Sequence, residues 1–150
     1  MKNSFLVILT LLGIQQINAQ FTRRDSLQGG LRAERTAYDV KRYDLNITIN
    51  PEQRSIKGFN EITFDVVSPT QKIQVDLFEN MKVDSIVWNA KKLNYKRDND
   101  AVFIDFPEKL ASKSNHKLKF YYSGNPRIAK NAPWDGGFVF SKDKAGKDFI

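Results

Sequence analysis

From Tyr38 to Val67 the chain alternates apolar and polar residues in a way that suits a β-strand and little else. Tyr43, Leu45, Ile47 and Ile49 fall on one side, with Arg42, Asp44, Asn46 and Thr48 on the other. A period of two places such residues on opposite faces of a half-buried strand. Asn50-Pro51-Glu52-Gln53-Arg54 then turns the chain, its proline lacking the N–H that a ladder needs. The alternation resumes with Ile56, Ile62, Phe64 and Val66 and is broken at Gly58-Phe59-Asn60, where we expect a bulge or bend. The stretch predicts a long antiparallel hairpin.

Shorter runs of the same kind follow. Ile73, Val75 and Leu77 share a side of one strand, and Lys82–Trp88 offers apolar residues to both faces. Leu93 and Tyr95 continue the series after a turn at Asn89-Ala90-Lys91. Val102, Ile104 and Phe106 share a face of the next strand, which Pro107 is expected to stop. Leu118, Phe120 and Tyr122 point inward from the one after, which ends at Gly124-Asn125-Pro126. Phe138-Val139-Phe140 starts a further strand, and Asp143–Gly146 turns it toward Asp148-Phe149-Ile150. Regular short strands separated by turns predict an all-β antiparallel sandwich or curved sheet. No window supports a substantial amphipathic helix, and the chain stops inside an apolar run, so more chain is expected beyond Ile150.

The ends have their own character. Residues 1–19 read as a secretory signal peptide: Lys2, an apolar run from Phe5 to Ile14, and a small residue, Ala19, before the expected cut. That run of ten residues is too short to cross a bilayer, which takes roughly 20. The expectation is an exported protein, periplasmic or extracellular, without a membrane span. Residues 20–37 are polar, broken at Gly29-Gly30, and predict an extended arm with at most a short helical turn near Asp25. Arg23, Arg24, Arg32 and Arg35 suit an arm packed along the surface better than a binding patch. Residues 38–150 form the β-sandwich domain.

Chemistry is harder to find. The 150 residues hold no cysteine and a single histidine, His116, set among polar neighbours and expected at a solvent-facing strand start. A zinc site needs three or four His, Cys or carboxylate ligands. Asp98-Asn99-Asp100 begins like a calcium loop, but Phe103 and Lys109 stand where an EF-hand needs Gly and Glu. Gly-x-Ser-x-Gly, Walker and dinucleotide-binding motifs do not occur. The net charge of +7, or +6 without Lys2, is spread among acidic residues rather than gathered in a stripe, which argues against nucleic acid. Asn46-Ile47-Thr48 is a formal glycosylation sequon within a strand. Trp134 and Asp135, in the Gly-rich turn Asn131–Gly137, are the candidate site residues. Two roles stay open for Trp134: contact with a ligand or neighbouring domain, or a cover over one end of the core.

An ordered set of segments carries a resemblance. Arg24-x-Asp-x-Leu-x-Gly, Tyr38-Asp39-Val40, Tyr43–Ile47, Ile56–Phe64, Ile73–Leu77, Val83–Ile86, Phe120–Pro126 and Ala132–Phe138 together resemble the opening of secreted bacterial M1-family zinc aminopeptidases. The resemblance implies a saddle-shaped β-sandwich ahead of a thermolysin-like catalytic domain. In that family the second domain holds Zn2+ through His-Glu-x-x-His and a distal Glu, and a Gly-x-Met-Glu-Asn-type segment binds the substrate amine. None of these motifs occurs in residues 1–150. A glutamine of the N-terminal domain that approaches the amine is expected just past Ile150. The implied partners are the downstream catalytic domain and peptide substrates, with no catalytic, cofactor or metal residue in this chain. The rival reading is a stand-alone secreted β-sandwich that binds glycan or protein through aromatic loops around Trp134.

Overall fold

The computed structural model describes residues 20–150, so the expected signal peptide lies outside the described residues. Two short helices come first, α1 (Arg23–Gly29) and α2 (Ala33–Thr36). Ten strands follow: β1 (Tyr38–Asn50), β2 (Ser55–Val66), β3 (Thr70–Asp76), β4 (Met81–Trp88) and β5 (Lys91–Lys92), then β6 (Asn94–Asp98), β7 (Ala101–Leu110), β8 (Asn115–Gly124), β9 (Ser141–Lys142) and β10 (Asp148–Phe149). They pair antiparallel into a five-stranded sheet, β1-β2-β8-β4-β5, a three-stranded sheet, β3-β7-β6, and a small β9–β10 hairpin. The larger sheets enclose one apolar core containing Ile62, Phe64, Ile73, Ile86, Trp88, Ile104, Phe106, Leu118 and Phe120. The architecture is the antiparallel all-β sandwich.

Two bulges set which residues enter that core. The β1–β2 register skips at Lys41, so Tyr38 and Val40 lie on the same face as Tyr43, Leu45, Ile47 and Ile49. A second skip at Asp84 puts Val83 on the face of Ile86 and Trp88. One extra residue reverses the phase of all that follow. Strand β4 therefore buries one face, where the sequence pattern suggests apolar residues on both. Gly58–Asn60 is no bulge: it pairs in unbroken register with Leu45–Ile47. Glycine is required there by space, since a Cβ on Gly58 would lie 1.9 Å from the Asn46 carbonyl oxygen.

Three other expectations change. Strand β7 runs through Pro107 to Leu110, because its pairing to β3 lapses between Asp105 and Leu110 and no ladder N–H is needed there. Phe138–Phe140 forms no strand beyond a single parallel bridge from Phe138 to Ile128. The arm is not extended but helical twice. Thr22 and Asp25 form a capping box over α1, with the Thr22 N–H donating to Asp25 at 2.8 Å and Asp25 N–H to the Thr22 hydroxyl at 3.3 Å.

Charge and hydrogen bonds bind that arm to the sandwich. Arg23 pairs with Asp98, Arg24 with Glu79 at 2.6 Å and Arg35 with Asp76 at 2.6 Å. Buried Gln74 accepts from Arg32 at 2.9 Å and donates to the Leu27 carbonyl at 2.9 Å and to Asp76 at 2.7 Å. Buried Asp100 accepts from Gln28 at 2.8 Å and from the Glu79 N–H at 2.8 Å. The four arginines are thus engaged by this domain's own groups, as an arm packed on the surface requires.

Candidate functional site

Beyond β8 the chain leaves the sheets and forms the loop that carries Trp134 and Asp135. One oxygen of Asp135 accepts from the Lys130 N–H at 2.6 Å and the Asn131 N–H at 3.0 Å. These bonds favour the charged form and hold the Asp135 carboxyl below the usual carboxylate range. Its other oxygen is buried without a partner. The Trp134 N–H donates to the Asn131 carbonyl at 2.8 Å, closing the turn. Gly137 has φ 116°, and a Cβ there would lie 2.6 Å from the Arg127 carbonyl oxygen. That close approach lets Phe138 and Arg127 bond at 2.8 Å and tie the loop's two stems together.

Loop closure does not bury the indole. Trp134 is 89% exposed, so it does not cover the end of the core. That role belongs to Phe138, which packs against the core and stacks on Phe140 with centroids 5.7 Å apart. Trp88, the other tryptophan, is buried against Phe106. The Trp134 side chain is held outward on a pinned loop, and one oxygen of the Asp135 carboxylate is engaged by backbone N–H groups. Asp135 thus acts on Trp134 by shaping the loop.

His116 departs from expectation. It is half-buried, its ring 5.7 Å from both Phe64 and Trp88, and its Nε2 lies 2.8 Å from the Ser114 hydroxyl. Burial lowers its pKa, which favours the neutral ring beside Phe64 and Trp88. Asp98-Asn99-Asp100 makes a turn in which Arg97 donates to the Met81, Leu77 and Phe78 carbonyls, each at 2.6 Å. Among the described residues, no three His, Cys, Asp or Glu side chains converge to hold a metal ion. No helix of the described residues is long and apolar enough to cross a membrane.

One surface was not anticipated at all. The outward face of the large sheet has a broad concavity of about 780 Å3, floored by Gly58 and lined by Phe59, Tyr121, Asn46, Thr48 and Ser123. Phe59 and Tyr121 lie 5.1 Å apart there, with Lys119 over the Phe59 ring at 5.3 Å. The only hint in the sequence was Phe59 falling out of phase with its neighbours.

An antiparallel sandwich with a helical arm and a pinned aromatic loop defines the class. Residues 39–133 match the peptidase M1 N-terminal domain model, and the chain belongs to that family. Among solved structures it is similar to an M1 zinc metallopeptidase from Deinococcus radiodurans, at 23% identity and a TM-score of 0.57 over 67% of this chain and 23% of the other. A two-domain M1 zinc metallopeptidase bound to L-arginine matches at 22% identity and a TM-score of 0.57, again over 67% of this chain and 23% of the other. The Deinococcus radiodurans enzyme bound to a Tyr-Ser-Ala substrate matches at 23% identity and a TM-score of 0.56, over 63% and 22%. The chain thus spans less than a quarter of the length of these neighbours. No curated protein matches it.

Proposed function

We propose that this chain is the non-catalytic N-terminal β domain of an exported M1-type zinc aminopeptidase, which removes N-terminal residues from peptides. The observation that carries the reading is the family match across the sandwich, residues 39–133. In this reading Zn2+ and its ligands belong to a catalytic domain beyond residue 150, where the metal would supply Lewis-acid activation of the peptide carbonyl. The β domain supports that neighbour and partly walls the substrate cleft. Trp134, 89% exposed on its braced loop, is the contact residue we assign to this task.

The test uses the full-length protein. It should release amino-terminal residues from short peptides and lose that activity to a chelator; chelator-resistant cleavage would reject the zinc mechanism. Trp134→Ala should weaken peptide turnover while leaving zinc content unchanged. The rival, a stand-alone module for glycan or protein, draws support from the same exposed indole. A stop codon shortly after Ile150, with no His-Glu-x-x-His downstream, would favour that module.

A further inference from the structure

The outward face of the five-stranded sheet carries an ordered set of groups that neither the core nor the arm uses. Register places Asn46, Phe59, Tyr121 and Ser85 in one row across β1, β2, β8 and β4. Lys57, Ser123 and Lys82 stand in the next row along the strands. Directly paired residues share a face, and both rows line the concavity of about 780 Å3. With adjacent strands about 4.8 Å apart, a row of four spans roughly 14 Å. Phe59 and Tyr121 are half-buried, their centroids 5.1 Å apart and their planes tilted by 43°, so they form a floor rather than a knob. The bulge in β4 adds an acid to that floor. Its extra residue lets Asp84 and Ser85, neighbours in sequence, both line the same side. The Asp84 side chain is only 28% exposed and its carboxylate accepts from the Ser123 hydroxyl at 3.0 Å.

We propose that this face binds an uncharged β-1,4-linked oligosaccharide, whose sugar rings stack on Phe59 and Tyr121 while Asp84 accepts from their hydroxyls. The C–H groups on one side of a pyranose ring carry partial positive charge and suit the electron-rich face of an aromatic ring. Sugar hydroxyls both donate and accept. The site offers them a pure acceptor in Asp84, pure donors in Lys57 and Lys82, and two-way partners in Asn46 and Ser85. A β-1,4 linkage keeps the rings in an extended ribbon and lets successive rings turn, which matches the tilt of the floor. Charge argues against a polyanion. Lys82 is offset by Asp84 at 3.6 Å and Lys119 by Glu61 at 3.5 Å, and these carboxylates would repel phosphates. The Lys119 ammonium lies 5.3 Å from the Phe59 ring centre, so that ring's face is open to the surface; a sugar would take its place and leave it on Glu61. Trp134 contributes nothing to this lining, and the inference stands whether or not the whole protein is a peptidase.

Calorimetric titration of the full-length protein with cellotetraose and with tetra-N-acetylchitotetraose tests the site. At least one should bind, and Phe59→Ala or Tyr121→Ala should weaken that binding about tenfold or more. Phe59→Tyr keeps a ring and should bind like the wild type. Asp84→Asn keeps the shape, removes the charge and should weaken binding about fivefold. It decides the matter should either alanine variant fail to fold. No binding of either sugar at millimolar concentration overturns the proposal, as does unchanged affinity in Phe59→Ala and Asp84→Asn. Tighter binding of a single-stranded oligodeoxythymidine than of either sugar also overturns it, since the aromatic floor would then serve bases and phosphates. So does a comparable loss in Trp134→Ala, which would move the sugar to the loop. Zinc content and peptide cleavage do not enter the readout, so the peptidase reading stands or falls separately.

Discussion

The two halves of the opening hairpin have the same alternation and opposite fates. Near its base, Tyr38 and Val40 meet Phe64 and Val66 across the ladder, and the smaller sheet closes over them. Phe64 is fully buried, with Tyr38 edge-on at 5.6 Å and Phe106 at 6.4 Å. Toward its tip, Tyr43 to Ile49 keep the pattern and the register but face open space. Pattern specifies the face a residue occupies; a second layer decides whether that face is core. The lesson is that amphipathic periodicity reports a demand for burial that this chain meets only in part.

Substitutions can break that contrast or sharpen it. Phe64→Ala should have the largest effect, a loss of about 3–5 kcal/mol in denaturant unfolding, because the cavity opens between both sheets. Gly58→Ala should cost about 1–3 kcal/mol, since the added carbon meets the backbone of β1 and only a shift of the hairpin relieves it. A cost near zero would mean that the two strands sit farther apart than the structure places them.

Tyr38→Phe probes the seam between the halves. Its hydroxyl donates to the Gln74 carbonyl at 2.6 Å, and losing that bond should cost about 0.5–1.5 kcal/mol near neutral pH. Burial, with the Tyr43 and Asp76 charges adding and Arg35 opposing, pushes the Tyr38 phenol up to about 12 from the usual 10.0. The unfolded chain therefore ionises first. Stability is full below pH 10 and falls as pH rises toward 12, by at most about 1.4 kcal/mol per pH unit from this group. Tyr38→Phe lacks this contribution, so the gap between wild type and variant should narrow across the window. A constant gap in alkaline unfolding curves would show that the phenol is wetter than its surroundings indicate. At the other extreme, Ile49→Ala at the tip should cost under about 1 kcal/mol in the 150-residue chain, and Trp134→Ala within about 0.5 kcal/mol either way.

Much of this fold was legible in the sequence. Every strand of the two large sheets except the dipeptide β5 falls in a stretch that the sequence marks as a strand, although β4 and β6 do not alternate cleanly, and strand spacing argues against a helical or α/β class. What alternation could not show was where its phase turns over. The step from Tyr38 and Val40 to Tyr43 and Leu45 is itself the signature of the Lys41 bulge, whereas the break at Gly58–Asn60 marks a close approach of two strands and no extra residue. The arm conceals its helices for a related reason. Thr22-x-x-Asp25 is a capping box written in the sequence, yet α1 buries only Leu27, too few apolar residues for periodicity to register. The candidate site was half legible. Trp134 stood out by its Gly-rich setting, while its exposure depends on Phe138 having taken the place at the core's edge. Gln74 and Asp100 looked like ordinary solvent-side residues, because their partners come from an arm 42 and 72 residues earlier in the chain.

The family boundary at residue 39 and the physical boundary of this domain are different places. A version trimmed to begin at Tyr38 would keep every strand and discard every partner of Gln74, Asp76, Asp98 and Asp100 that the arm supplies. Two buried polar side chains and two carboxylates would then face the solvent or each other with their arginines gone. An amino terminus placed after Thr22 would spare those partners but uncap the helix that delivers Arg23, Leu27 and Gln28 among them. An expressible version should therefore start no later than Phe21, well before the first strand begins.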